Sequence, residues 1–137
     1  MNNTIKKYVS LALRLIIAII YVQTLYYKFS GHKDSVYIFT QLGLEPYGRI
    51  GIGIFELITA ILILIPRSMI FGAILSIGVI SGALFSHLGP LGIEVNGDGG
   101  KVFYLALAVF LASVLILILH WKELILTFNK VKNKILK

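Results

Sequence analysis

The sequence predicts an all-α integral membrane protein: an antiparallel bundle of four transmembrane helices followed by an amphipathic helix in the membrane interface. Three observations lead there. Hydrophobic residues make up 58% of the 137-residue chain and charged residues only 14%, whereas soluble domains run about 45–50% apolar and about 25% charged. Four apolar stretches, near 8–27, 47–65, 69–88 and 102–121, each approach the ~20 residues a helix needs to cross ~30 Å of hydrocarbon. Within them, runs such as Ile61-Leu62-Ile63-Leu64-Ile65 do not alternate, so the dyad pattern of a membrane barrel strand is absent and helices must satisfy the backbone.

The first stretch follows Lys6 and Lys7 and could be mistaken for a signal peptide. It contains Arg14, runs on into Tyr26-Tyr27-Lys28 and lacks a small-residue cleavage site, so a retained span is expected. A longer connection, 28–46, includes a segment at Ser35–Leu42 that suits a short interfacial helix. The second stretch ends at Pro66; Pro66-Arg67-Ser68 is a tight turn, with Ser68 placed to cap the third helix. Gly78-x-x-x-Gly82-x-x-x-Ser86 in the third helix and Ala108-x-x-x-Ala112 in the fourth are expected to allow close helix contact, as are Gly48, Gly51 and Gly53 where the second helix begins. The 89–100 connection is Gly-rich and carries Glu94 and Asp98. No Gly-Lys-Ser/Thr follows it, so it reads as a flexible, turn-rich connector rather than a phosphate loop.

Residues 1–121 therefore form one helical unit and 122–137 a basic tail. In the tail Leu124, Phe128, Val131 and Ile135 recur at helical spacing among lysines, the pattern of a helix lying on a bilayer. Five of the thirteen basic residues lie in that tail, so the net charge of +7 reads as attraction to anionic lipid headgroups rather than to nucleic acid. Crossing four helices places Lys6, Lys7, Arg67, Lys122, Lys130, Lys132, Lys134 and Lys137 on one side, against Lys28, Lys33, Arg49 and Lys101 on the other. The positive-inside rule then puts both termini in the cytoplasm.

With no cysteine, disulfides, thiol redox chemistry, cysteine-ligated clusters and thiolate-bound zinc are excluded. Polar residues within the spans are the candidates for chemistry, since ionisable groups in hydrocarbon cost about 2.5–3.5 kcal/mol on insertion scales and usually pair. Arg14, Tyr21 and Lys28 share one face of the first helix; Arg49 and Glu56 share one face of the second. Arg14 and Arg49 are expected to approach Glu56 from opposite ends, with Lys28 at the rim and Gln23 as a further buried polar residue. Two readings stay open: an ion pair that pins helix register, or a ligand site. A carboxylate flanked by cations stays ionised, which favours an anionic or carbonyl-bearing ligand over a proton carrier. His87, ending the third helix, and His32, in the 28–46 loop, sit on the same side; two histidines without a third ligand make a poor zinc site, and with His32 in a loop they do not suit haem. His120, beside Trp121, reads as part of an aromatic belt.

Arg14, the Tyr27-Lys28-Phe29 exit, Leu42-Gly43-Leu44-Glu45-Pro46, Gly53-Ile54-Phe55-Glu56, Ser86-His87-Leu88 and the Asn96-Gly97-Asp98-Gly99-Gly100 loop before Phe103 together resemble the DoxX-like family of small four-helix bacterial membrane proteins, over roughly Leu13 to Leu119. That family includes the quinone-linked small subunit of an archaeal thiosulfate oxidoreductase and membrane partners of oxidative-stress enzymes. The resemblance implies a bacterial inner-membrane protein acting in or beside a redox process. It implies a quinone as the cofactor class, and Arg14, Lys28, Glu56 and His87 as the matching polar positions. Lys28 and His87 would then be headgroup donors, with Arg14, Arg49 and Glu56 orienting them. Two other classes fit the same chain: a non-catalytic scaffold docking a protein partner through its tail, and a small transporter component that works only as a homo-oligomer.

Overall fold

A computed structural model describes residues 1–136; the expectation for Lys137 lies outside them. Among the described residues the chain is helical throughout, in the order α1 (Asn3–Phe29), α2 (Lys33–Gln41), α3 (Tyr47–Leu64), α4 (Met69–Leu88), α5 (Lys101–Leu119) and α6 (Trp121–Ile135). Four of these, α1, α3, α4 and α5, are long and apolar enough to cross a membrane. The first begins five residues earlier than the apolar run because Asn2 caps it, accepting from the Thr4 amide at 3.1 Å. That bond satisfies one of the four amide groups a helix start leaves open.

The four long helices pack in a ring, each against two neighbours, in the order α1, α3, α4, α5 and back to α1. Ile17, Tyr21, Ala60, Ile63, Ala73, Ile80, Val109 and Ile116 fill its centre. Inside it the Tyr21 hydroxyl lies 2.9 Å from the Ser76 hydroxyl, and Ser113 Oγ lies 2.8 Å from Ser76 Oγ. Burying three hydroxyls costs little only because each is partnered.

Arg14 of α1 lies at the 65–68 end of α3, donating to the Ile63 and Leu64 carbonyls. There Ser68 occupies the cap position of α4, but its hydroxyl turns back to donate to the Leu62 carbonyl at 2.9 Å and caps no amide of its own helix. Pro66 leaves that carbonyl without its helical donor, and the serine supplies one. The close approach expected at Gly78 and Gly82 falls elsewhere. A Cβ on either would meet nothing within 4 Å, whereas one on Gly72 would lie 2.6 Å from the Ile63 backbone nitrogen. Gly72 is where α3 and α4 touch backbone to backbone. Gly53 does serve as expected, since a Cβ there would come within 2.8 Å of the Phe29 ring.

His120 also departs from the expected aromatic belt. It is buried, and its Nε2 shares a 2.9 Å hydrogen bond with the Ser10 hydroxyl of α1. Its Nδ1 faces Glu123 Oε2 at 3.4 Å, and Glu123 Oε1 accepts from Lys6 Nζ at 3.1 Å. The join between α5 and α6 is thus pinned to α1. Beyond it α6 has no buried residue.

The opposite end is covered by α2 and the 89–100 loop. Ser35, Ile38, Phe39 and Leu42 form the inward stripe of α2, spaced as one helical face requires. The loop is tied down rather than slack: Asp98 Oδ1 accepts from the amides of Val95 at 2.9 Å and Gly100 at 2.8 Å, and Oδ2 from Val102 at 3.1 Å. Burial pushes the Asp98 carboxyl up, but those three amides outweigh it and hold it below its ordinary value of 3.8. Asn96 Nδ2 donates to Asp34 Oδ1 at 3.2 Å, joining loop to α2.

Candidate functional site

Under that cover lies a cavity of about 430 Å³, within the size range of small-molecule sites. Every helix except α6 contributes to it. Ile20, Tyr21, Thr24 and Lys28 come from α1, Ile52 and Glu56 from α3, Val79, Ile80, Ala83 and His87 from α4, and Val102, Leu105 and Ala106 from α5. Most of the wall is aliphatic, with a few polar atoms set into it.

The central polar feature is an ion pair. Lys28 Nζ lies 2.9 Å from Glu56 Oε2, and their side chains are only 12% and 7% exposed. Thr24 Oγ1 also lies 3.1 Å from the same carboxylate oxygen. Helical periodicity explains the convergence: Tyr21, Thr24 and Lys28 are separated by three and four residues, so they rise along one side of α1. The ammonium has three donors, and Glu56 occupies one of them.

Arg14 and Arg49 do not flank Glu56 as expected. The Arg14 side chain donates through Nε to the Ile63 carbonyl at 2.7 Å and through Nη2 to the Leu64 carbonyl. Arg49 is held by Glu45, with Nε 2.9 Å from both carboxylate oxygens, and its Nη1 donates to the Lys28 carbonyl. Each guanidinium therefore satisfies carbonyls at the C-terminal end of the neighbouring helix, where such groups are open and the helix dipole is negative. Glu45, one turn before Arg49, takes the carboxylate role that the sequence pattern assigns to Glu56. The arginines tie helix ends together, and Lys28 and Glu56 stand in the cavity wall.

Tyr21 borders the cavity, but its hydroxyl is spent on Ser76. Gln23 is exposed, not buried. Two residues after Tyr21 the helix has turned about 200°, so Gln23 faces away from the core and meets the cavity only at its edge. His87 is buried in the wall, with Nδ1 2.8 Å from the Gly92 carbonyl and its ring edge-on to Phe103. A carbonyl only accepts, so Nδ1 carries the proton, and a neutral His87 offers Nε2 as an acceptor rather than the expected donor. His32 meets Tyr27 edge-on and lies 3.7 Å from Asp34, a separate set of partners from those of His87.

The charge around the cavity is informative. Two lysines, Lys28 and Lys101, are matched by three carboxylates, Asp34, Glu56 and Asp98. Such a wall has no positive excess with which to attract an anion. Compared with protein-family models, with curated proteins and with solved structures, the chain has no match.

Proposed function

We propose that the chain is a DoxX-like integral membrane protein, an antiparallel four-helix bundle that holds the ring of a lipid-soluble quinone and serves as a membrane subunit or accessory of a redox process. The observation that carries this reading is the cavity itself, aliphatic over most of its wall, with a buried, charge-balanced Lys28–Glu56 pair facing the space. The antiparallel arrangement is supported by the arginines, because Arg14 in the first half of α1 reaches the end of α3, and Arg49 near the start of α3 reaches the end of α1.

The donor set fits a quinone ring. Lys28 has N–H groups to spare for a ring carbonyl. Glu56 and the Nε2 of His87 are acceptors for a ring hydroxyl and its proton. Electron transfer would be supplied by the bound ring, since none of these side chains can carry it. The protein's share is to orient the ring, exclude water and hold the protons at Lys28 and Glu56.

In this reading the membrane is the bacterial inner membrane, with both termini cytoplasmic and α6 lying in the interface. The exposed Phe128, Val131 and Ile135 of α6 support that placement, because they are the apolar face and nothing among the described residues covers them. The test is gentle extraction into lipid nanodiscs, with organic extraction and mass spectrometry of what co-purifies. A redox-active lipid is expected, lost in Glu56→Gln. Protein free of any such lipid, and showing no absorbance change with dithionite, overturns the reading. A second reading, a scaffold that docks a partner protein through α6, draws on that same exposed face; it predicts that removing residues 123–137 abolishes association and that Glu56→Gln alters stability alone.

A further inference from the structure

The cavity has walls of two kinds. Over its end, α2 lays down Phe39, which is 7% exposed, and the loop adds Leu91, with the Asn96–Asp34 bond joining the two covers. At the α1–α5 edge the lining residues are instead open to the surroundings: Gln23 and Tyr27 on α1, Lys101 and Val102 on α5. The same two helices are in contact lower down, where His120 meets Ser10. The edge between them is closed at one end of the ring and open at the other.

The depth of this opening matters. Gln23 stands six residues before the end of α1 at Phe29, about 9 Å along the helix axis. The opening therefore extends from the level of Lys101, at the first residue of α5, more than a turn down an apolar helix. An amide at that depth facing hydrocarbon is unfavourable unless something polar meets it. Water-borne molecules would have to pass the covered end; molecules dissolved in the bilayer meet the open edge directly.

We infer that the α1–α5 edge is a lateral portal, through which a membrane-resident lipid with a neutral carbonyl-bearing head and a long apolar tail enters, and through which its tail remains projecting into the bilayer. This rests on the quinone reading of the cavity and adds the route and the tail. A cavity of about 430 Å³ takes a substituted ring and the first units of a prenyl chain, so a longer tail must leave, and the exposed α1–α5 edge offers it a way out. A phosphate-headed lipid is disfavoured by the two lysines against three carboxylates in the wall. Gln23 sits where the head passes, and its amide can donate to a carbonyl in transit.

The test uses the full chain in nanodiscs and two probes: a dimethoxybenzoquinone bearing a decyl chain, and the same ring without it. Val102 is 38% exposed, so Val102→Trp narrows the portal without entering the core. It should weaken the decyl probe by about tenfold or more, the scale of overfilling a fitted apolar site. The tail-less ring should change by no more than about twofold, within the scatter of surface substitutions. Gly82 also lines the cavity and is exposed, so Gly82→Leu tests the α3–α4 side as the rival exit and should weaken the decyl probe no more than it weakens the tail-less ring. As a second readout, Gln23→Cys puts a single thiol in a chain whose described residues have none. The decyl probe should shield it from a membrane-permeant maleimide and the tail-less ring should not. Equal effects of Val102→Trp on both probes, or loss of the decyl probe in Gly82→Leu alone, overturns the portal and leaves the quinone site standing. Failure of the wild-type chain to bind either ring overturns both.

Discussion

Removing the Lys28–Glu56 pair one partner at a time and then together separates its two roles. At 2.9 Å the Coulomb attraction is about 6 kcal/mol at an effective dielectric near 20. Each ion gives back several kcal/mol in lost hydration, so the net worth of the intact pair is small. Breaking it is another matter. With side chains 12% and 7% exposed, the survivor has little water to turn to, and Glu56→Gln or Lys28→Met should each cost about 3–5 kcal/mol. The double variant leaves no unpaired charge and should fall within about 2 kcal/mol of wild type, because apolar replacement of a buried pair is often neutral. Reversible unfolding in mixed detergent micelles gives the cycle, with an expected coupling of about 3 kcal/mol or more. A coupling under about 1 kcal/mol would refute the argument that the two charges depend on each other. The double variant also carries the functional question: it should keep its fold and lose its ligand.

Arg14→Met should cost about 2–3 kcal/mol in the same unfolding assay, since it strips charged donors from the carbonyls of Ile63 and Leu64; a neutral result would mean that water or lipid serves those carbonyls equally well. Gly72→Ala should lose about 1–3 kcal/mol because its Cβ would press on the Ile63 backbone at 2.6 Å. Gly78→Ala, with nothing within 4 Å, should be neutral or gain up to about 1 kcal/mol of helix propensity; the reverse order in melting temperature would contradict the packing described. Acid should loosen the α1–α6 contact. Burial holds His120 below its ordinary value of 6.5, with Glu123 opposing and Lys6 and Arg14 reinforcing the shift. The undocked chain then takes up the proton first, so the contact is fully stable above about 6.5 and weakens as the pH falls below that value. Hydrogen exchange over 118–126 measured against pH should show this, and His120→Gln should flatten the profile.

The helices were legible because hydrocarbon leaves so few options: an apolar run of the right length has one way to satisfy its backbone. Their ends followed to within a few residues, since Pro66 and the glycines of 89–100 act locally. Lys28 and Glu56 were legible as candidates because ionisable residues in apolar runs need partners. Which partner each would take was not. Periodicity placed Arg14 and Arg49 on faces that look toward Glu56, but a long side chain spends its donors on the nearest open acceptors, and those are the carbonyls at helix ends. Gln23 was misplaced because a polar residue in an apolar run was assumed to turn inward, although its angle from Tyr21 puts it outside. His120 was misread and Gly72 missed for a shared reason. Their neighbours, Ser10 and Ile63, are set by how helices meet in three dimensions, and no local pattern records that. Ser76 and Ser113 carried no signal at all, being single hydroxyls in long apolar runs.

The bond between Ser10 and His120 joins positions 110 residues apart, and it lies on the edge that makes the ring a ring. During synthesis α1, α3 and α4 can associate in succession as each emerges, but α1 must wait with one flank bare until the last span and the residue after it have left the ribosome. That flank is also the side on which the cavity opens. Ring closure and the formation of the binding space therefore both wait for α5, and a chain stopped before residue 101 has neither.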